Sequence, residues 1–337
     1  IGTNVKTWNN NIENFDASGK LIYLRVYIPE IGSNTTIRIR LYNDWALVSK
    51  RYLVRETREG SKWIEYMFSV DSCEKQNGMD DIRIKDINRI SIQVASQEPF
   101  EVTLDALALV ENPQPEAKFT VTFDDGNKSN VSVAAPIMSR YGFRGVSYVI
   151  PTLIGNSGYM NMSDLRKLQG LGWDICSHGY EHKDLTAITE EELRAEIRQS
   201  KEWLIENGFG EGALHYCAPS GRITDEAIQE LKNHGFLTVR TDLHADTTTK
   251  YQLETLPPAN PYRIMAVGMF ESSPSLTEIE ALIDNAIQSK AWVVFMFHGV
   301  GSGSVPMSVE KFEAIMEMLH DKKAKVATMS DLTVPKF

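Results

Sequence analysis

A chain of 337 residues that is 42% hydrophobic and 24% charged reads as an ordinary soluble globular protein of two domains, with no disorder signature. Its formal net charge of −10, with no basic run to offset it, disfavours nucleic acid and acidic glycans as partners. The longest apolar stretch near the C-terminus, Ala291 to Phe297, is too short to cross a bilayer. The three cysteines, Cys73, Cys176 and Cys217, fit no zinc or disulfide framework and leave the redox compartment open. The chain starts at Ile1 with neither initiator Met, signal peptide nor lipidation signature, as an excised or processed polypeptide would.

From about Lys20 to Val110 the pattern is alternation. Thr36 to Leu41 sends Ile37, Ile39 and Leu41 to one face and Arg38 and Arg40 to the other. Ile90 to Val94 and Phe100 to Leu107 repeat this period of two, which predicts antiparallel strands with one face covered. The fold expected for residues 1–112 is an antiparallel β-sandwich of jelly-roll style. Tyr42, Trp45 and Tyr52 are its candidates for a sugar-stacking platform, with core packing the competing explanation. A polar segment with Pro113 and Pro115 predicts a linker over residues 113–117.

Beyond it strands and helices alternate. Phe119–Phe123, Ser147–Ile150, Trp173–Cys176, Leu214–Cys217, Leu237–Arg240, Trp292–Phe297 and Lys325–Thr328 read as strands. Thr189 to Glu192 is a capping box that opens a helix through Leu193, Ile197, Trp203 and Leu204. Further helices are predicted over about 225–234, 277–289 and 309–322. Such alternation implies a parallel sheet with helices outside, over residues 118–337, and sites built at the carboxyl ends of the strands.

Every chemically suggestive cluster falls at such an end. Asp124 and Asp125 close the first of these strands and run into Gly126, where a turn could bring both carboxylates to one pocket in different roles. His178 and His182, four apart, can direct two imidazole nitrogens at one ion from a helix or a tight loop. His298 follows the fully apolar strand and precedes Gly299, well placed as a proton donor. Cys176 and Cys217 lie beside these clusters and are expected to be buried as small apolar residues.

With the three clusters assembled, residues from about 118 to 335 resemble the polysaccharide deacetylases, the NodB-homology domains of carbohydrate esterase family 4. Thr122-Phe123-Asp124-Asp125-Gly126, Ser177-His178-Gly179-Tyr180-Glu181-His182, Cys217-Ala218-Pro219-Ser220-Gly221 and Met296-Phe297-His298 match that family's motifs in order and spacing. The resemblance implies a distorted (β/α) barrel of NodB type and one divalent metal per chain, most often Zn2+, held by Asp125, His178 and His182. It implies Asp124 as the general base towards an activated water and His298 as the general acid towards the leaving group. Ser220, through its backbone N–H, with Pro219 and Tyr180, is implied at the oxyanion and substrate. The family commonly has an Arg where this chain has Cys217, and Arg222 and Arg240 are the candidates to supply that cation from elsewhere. Asp242 is the match to a weak fourth motif.

The expected activity is metal-dependent removal of N- or O-linked acetyl groups from a polysaccharide. The expected partner is an acetylated polysaccharide, with no nucleic acid and no membrane span. The expected setting is extracellular, cell-surface or periplasmic. Two alternatives stand beside it: a carbohydrate-binding protein whose catalytic domain has lost activity, and a hydrolase of small non-peptide amides on the same scaffold.

Overall fold

A computed structural model describes residues 4–28, 35–43, 45–54, 63–75, 83–97, 99–241 and 253–333, without the side chains of 45–54, 74–75 and 83–84. Among these the chain separates into two compact units. One is drawn from Ile1–Pro115, His244–Asn260 and Gln288–Ala291, the other from Glu116–Leu243, Pro261–Ile287 and Trp292–Phe337.

The first unit is made of antiparallel sheets. β1 (Asn4–Phe15), β7 (Ile87–Ser96), β3 (Thr35–Asn43), β4 (Trp45–Val54) and β6 (Glu74–Lys75) form a five-stranded sheet in that order. β5 (Trp63–Ser69), β2 (Lys20–Tyr27) and β8 (Thr103–Glu111) form a three-stranded one. Alternation decides which face is covered: Ile37, Ile39 and Leu41 of β3 are buried while Arg38 and Arg40 are not. These residues meet Ile22, Leu24 and Val26 of β2, Ile64 and Phe68 of β5, and Ile90, Ile92 and Val94 of β7 in one core. Two sheets sharing one core make a sandwich, and each such side chain contributes about 1.5–3 kcal/mol on burial.

β1 lies outside the stretch where alternation predicts strands. It is an exposed, asparagine-rich edge strand with a register irregularity between Asn11 and Phe15, so its apolar Trp8, Ile12 and Phe15 do not keep a period of two. Tyr42 is half-buried with the Arg89 guanidinium 4.1 Å from its ring centroid, so its own chain occupies one ring face. The side chains of Trp45 and Tyr52 lie outside the described residues.

The second unit carries a parallel sheet in the order β13 (Thr238–Arg240), β12 (His215–Cys217), β11 (Asp174–Ser177), β10 (Val146–Val149), β9 (Lys118–Phe123), β15 (Trp292–Phe297), β14 (Val267–Gly268), with β16 (Lys325–Val326) against the start of β9. A bridge from Arg240 to Ile264 carries β13 on towards β14, so the sheet curls into a distorted half-barrel. The helices are α1 (Ala135–Arg140), α2 (Met162–Gly170), α3 (Glu190–Glu206), α4 (Asp225–Asn233), α5 (Leu276–Ser289), α6 (Val309–Asp321) and α7 (Met329–Thr333). β15 is apolar throughout because both its faces are covered. α6 lays Phe312, Ile315, Met316 and Leu319 inward, and Phe312 packs edge-on to Phe297 at 5.2 Å. α3 opens at Thr189 with the reciprocal capping box that its sequence predicts. No helix among the described residues is long and apolar enough to cross a membrane.

At the start of β12, His215 is fully buried. Its Nδ1 lies 2.8 Å from Thr238 Oγ1 and its Nε2 lies 3.3 Å from Ser330 Oγ. Burial, followed by the charge of Lys201, lowers its pKa to about 3. An unfolded histidine titrates near 6.5, so between about pH 6.5 and 3 the unfolded chain binds a proton that the native chain does not. Stability therefore falls as pH is lowered through that window, by up to about 1.4 kcal/mol per pH unit for this one group. His215→Gln should flatten that slope in denaturant midpoints measured from pH 7 to 4. Parallel slopes for variant and wild type would contradict it.

Candidate metal centre and active site

The register of β9 and β15 sets the first two functional groups side by side. Phe123 pairs with Phe297, so Asp124 and His298 leave neighbouring strands at one level, and Asp124 N–H donates to Phe297 O at 2.9 Å. Asp125 then adopts φ 70° and Gly126 φ 78°. A non-glycine residue in the left-handed region costs roughly 1–2 kcal/mol. That turn defeats the up-down alternation of a strand and lets adjacent carboxylates serve one pocket.

The imidazoles come from the loop after β11. His178 is buried, and its backbone N–H donates to Val149 O at 2.9 Å. Its Nδ1 lies 3.0 Å from Cys217 O, an acceptor only, so Nδ1 carries the proton and Nε2 presents its lone pair. That Nε2 is 3.6 Å from Asp125 Oδ1, and His182 Nε2 is 4.0 Å from the same oxygen. The His-x-x-x-His segment is a tight loop rather than a helix, with Gly179 at φ 79° and His182 at φ 66°. Burial dominates His178 and lowers its pKa to about 4, which keeps the ring neutral.

Glu196, on the buried face of α3, holds that loop and was not singled out by sequence. Its carboxylate accepts the N–H of Glu181 at 2.9 and 3.1 Å and of Lys183 at 3.2 Å, the two residues flanking His182. A Cβ on Gly179 would come within 2.4 Å of Glu196 Oε1, so glycine is required there. The available signal was a carboxylate falling at helical spacing between the apolar Leu193 and the buried Ser200.

Asp124 is buried, and Arg240 Nη2 donates to its Oδ2 at 2.5 Å. Burial alone would push its carboxyl up. The Arg240 charge, followed by His178, His298 and the Arg240 hydrogen bond, holds it below the usual carboxylate value. Arg240 is itself buried, which alone would lower its pKa; the Asp124 charge, with Cys217, Tyr148 and the Asp124 hydrogen bond, together raise it. Cys217 and Arg240 are register partners on β12 and β13, and Cys217 Sγ lies 3.9 Å from Asp124 Oδ2. The cation expected on β12 therefore arrives from the facing position on the next strand. Arg222, the other candidate, pairs with Asp184 at 2.9 Å instead and does not reach Asp124. Asp124 Oδ1 is buried with no hydrogen-bond partner among the described residues.

His298 is half-buried and stacks on Phe270, with ring centroids 6.3 Å apart and 26° between planes. Its Nδ1 has no partner among the described residues, and Asp242 lies outside them. Pro219 is buried, and Ser220 is exposed at φ 55°, ψ 19° in the loop after β12. Tyr180 is half-buried, its carbonyl accepting from Thr152 N at 3.3 Å and Thr152 Oγ1 at 3.1 Å. The structure thus gathers Asp124, Asp125, His178 and His182, backs them with Arg240, and sets His298 on the adjoining strand end. Pro219, Ser220 and Tyr180 occupy neighbouring loops without a hydrogen bond to those four among the described residues.

Two sets of donor atoms lie within 4.8 Å of one another: Asp125, His178 and His182, and Asp124, His178 and Cys217. The second is in contact with the Arg240 guanidinium through both Asp124 and Cys217, a charge that repels a cation. The first has no such neighbour. Its distances of 3.6 and 4.0 Å are a little wider than the about 3.4 Å implied by tetrahedral bonds of about 2.0–2.2 Å. Three ligands of nitrogen and oxygen with a bare carboxylate oxygen alongside fit a divalent ion that keeps an open position.

Residues 111–239 match the polysaccharide deacetylase family. The Bacillus subtilis (strain 168) protein YxkH, named for the polysaccharide deacetylases, is 26% identical over 132 residues, 39% of this chain and 47% of its own length. The chain thus spans about half the length of that curated relative. Among solved structures, the Xyl-CE4 domain of a multidomain xylanase from the hindgut metagenome of Trinervitermes trinervoides is 20% identical. It covers 64% of this chain and 89% of its own, with a TM-score of 0.44. BA3943 of Bacillus anthracis, described as a CE4 family pseudoenzyme, is 13% identical over 65% of this chain and 66% of its own, with a TM-score of 0.44.

Proposed function

We propose, from the premise that the chain carries a polysaccharide deacetylase domain over residues 111–239, that it removes N- or O-linked acetyl groups from a polysaccharide by metal-dependent hydrolysis. The observation that carries this reading is the convergence of Asp125, His178 and His182 beside a buried carboxylate oxygen, Asp124 Oδ1, that has no hydrogen-bond partner among the described residues. A divalent ion bound there, with zinc the expected one, would supply a Lewis acid and acidify its water towards a pKa of about 7.

The remaining chemistry belongs to the chain. Asp124, kept ionised by Arg240, accepts the proton of the attacking water at Oδ1 while Oδ2 stays bound to the guanidinium. His298, at the end of the adjoining strand, donates a proton to the departing amine or alcohol. His178 is held neutral with Nδ1–H on Cys217 O, so it binds through Nε2 rather than exchanging protons. The Ser220 N–H, with Pro219 and Tyr180 nearby, is assigned to the oxyanion and substrate. Action on a glycan polymer places the protein outside the cytoplasm, with the sandwich as its means of holding the polymer.

The test is acetate release from a panel of acetylated polysaccharides and small acetylated amides, with and without a chelator. Chelator-sensitive release from a polymer is expected. Glycan binding without release would favour an inactive carbohydrate-binding protein, and release from small amides alone a different hydrolase.

A further inference from the structure

Asp125 has two oxygens, and the loop after β15 takes hold of one of them. Ser304 Oγ lies 2.7 Å from Asp125 Oδ2 and 3.2 Å from Asn127 Oδ1. A serine has one proton to give, and the shorter, charged acceptor receives it. Its lone pairs are met in turn by Asn127 Nδ2, which donates to Ser304 Oγ at 2.9 Å and lies 3.2 Å from Asp124 O. Ser304 N–H donates to Asn127 Oδ1 at 2.9 Å, so side chain and backbone are both clamped.

The loop around Ser304 is built to hold this position. Gly299 N–H donates to Ser304 O at 3.1 Å, Met307 N–H to Gly299 O at 3.0 Å, and Gly301 N–H to Met307 O at 2.7 Å. Ser129 Oγ donates to Ser302 O at 2.9 Å and accepts from Val300 N–H at 3.1 Å. A Cβ on Gly303, at φ 102°, would come within 2.5 Å of Asn127 Oδ1, so only glycine permits the approach. Val305, β-branched and followed by Pro306, sits at φ 37°. Both features oppose that conformation, and such strain persists only where its surroundings over-determine it.

We propose that Ser304 is a positioning residue that occupies Asp125 Oδ2, leaves Oδ1 alone to face His178 and His182, and so fixes Asp125 as a one-oxygen ligand. The inference rests on the metal-centre reading above. It adds a coupling, because Ser304 shares its loop with His298: the segment that carries the proposed acid also sets the geometry of a ligand. No sequence motif points to Ser304, which lies among glycines beyond the last of them.

The test titrates metal-free protein with Co2+ and follows the visible absorption of the bound ion, a readout independent of turnover. Ser304→Ala should weaken Co2+ binding about 10–100-fold, the range of lost outer-shell partners, and alter the absorption envelope as the carboxylate becomes free to bind through both oxygens. Ser304→Thr keeps the hydroxyl and should restore affinity to within a few-fold. Wild-type affinity and spectrum in Ser304→Ala would overturn the proposal alone. A drop in affinity that Ser304→Thr does not reverse, with a lowered melting temperature in both variants, would assign Ser304 a merely structural role and also overturn it. A wild-type chain that binds no Co2+ would overturn the metal-centre reading and this inference together.

Discussion

Asp124→Asn should lower acetate release by about 10²–10⁴-fold, the usual contribution of a positioned base, while the chain keeps its metal. The substitution is close to isosteric, and the amide oxygen can still accept from Arg240. What is lost is the capacity of Oδ1 to take a proton. None of Asp125, His178 or His182 is changed, so the ion content measured by elemental analysis should equal that of the wild type. Burying Arg240 opposite a neutral partner will cost stability, so the assay belongs well below the variant's melting temperature. Acetate release near the wild-type rate would remove Asp124 from the role of base.

Arg240→Met should be damaging in a different way. It leaves Asp124 buried without its cation, and breaking a buried pair on one side costs about 3–5 kcal/mol. The direction of the pKa change follows from the causes. Arg240 is the largest influence holding the Asp124 carboxyl down, so without it burial pushes the carboxyl up. A base must be ionised, so the acidic limb of the activity profile should move to higher pH. In the wild type the same depressed pKa stabilises the fold above the usual carboxylate value, and that stabilisation is lost as pH falls through the native value. Cys217→Arg in the Arg240→Met background supplies the guanidinium from the registered position on β12. It should recover much of the lost stability and return the acidic limb towards the wild type. A double variant no better than Arg240→Met in both respects would contradict the idea that the cation has moved between strands.

These two substitutions bear on what a sequence can carry. The Asp-Asp-Gly turn was legible because a strand pattern ended at it and Gly126 licensed a reversal, although Asp125 itself takes the left-handed turn. The sandwich was legible wherever alternation was regular, as in β3, and illegible in β1, where the register irregularity breaks it. β15 and the capping box at Thr189 were read almost residue for residue, because continuous burial and reciprocal capping leave local signatures. α1 and α2 were not: α1 continues a wide turn over Asn130–Ala134, and α2 buries only Leu165 and Leu168.

The site divides along the same line. Its ligands sit in two short sequence motifs, and the family resemblance those motifs carry is what named them. Their supports are not. Arg222 and Arg240 are both arginines near a strand end, and only the pairing of Cys217 with Arg240 across β12 and β13 decides between them. Glu196 reaches the His182 loop from α3, and Ser304 reaches Asp125 from the loop after β15. Both contacts depend on tertiary packing that no spacing rule encodes.

Metal dependence is decided by acetate release from an acetylated polysaccharide by chelator-stripped protein, before and after one equivalent of Zn2+ per chain. Release should be absent from the stripped protein, return with Zn2+, and stay absent in His178→Ala whatever is added. Full release by the stripped protein, or by His178→Ala, would contradict it.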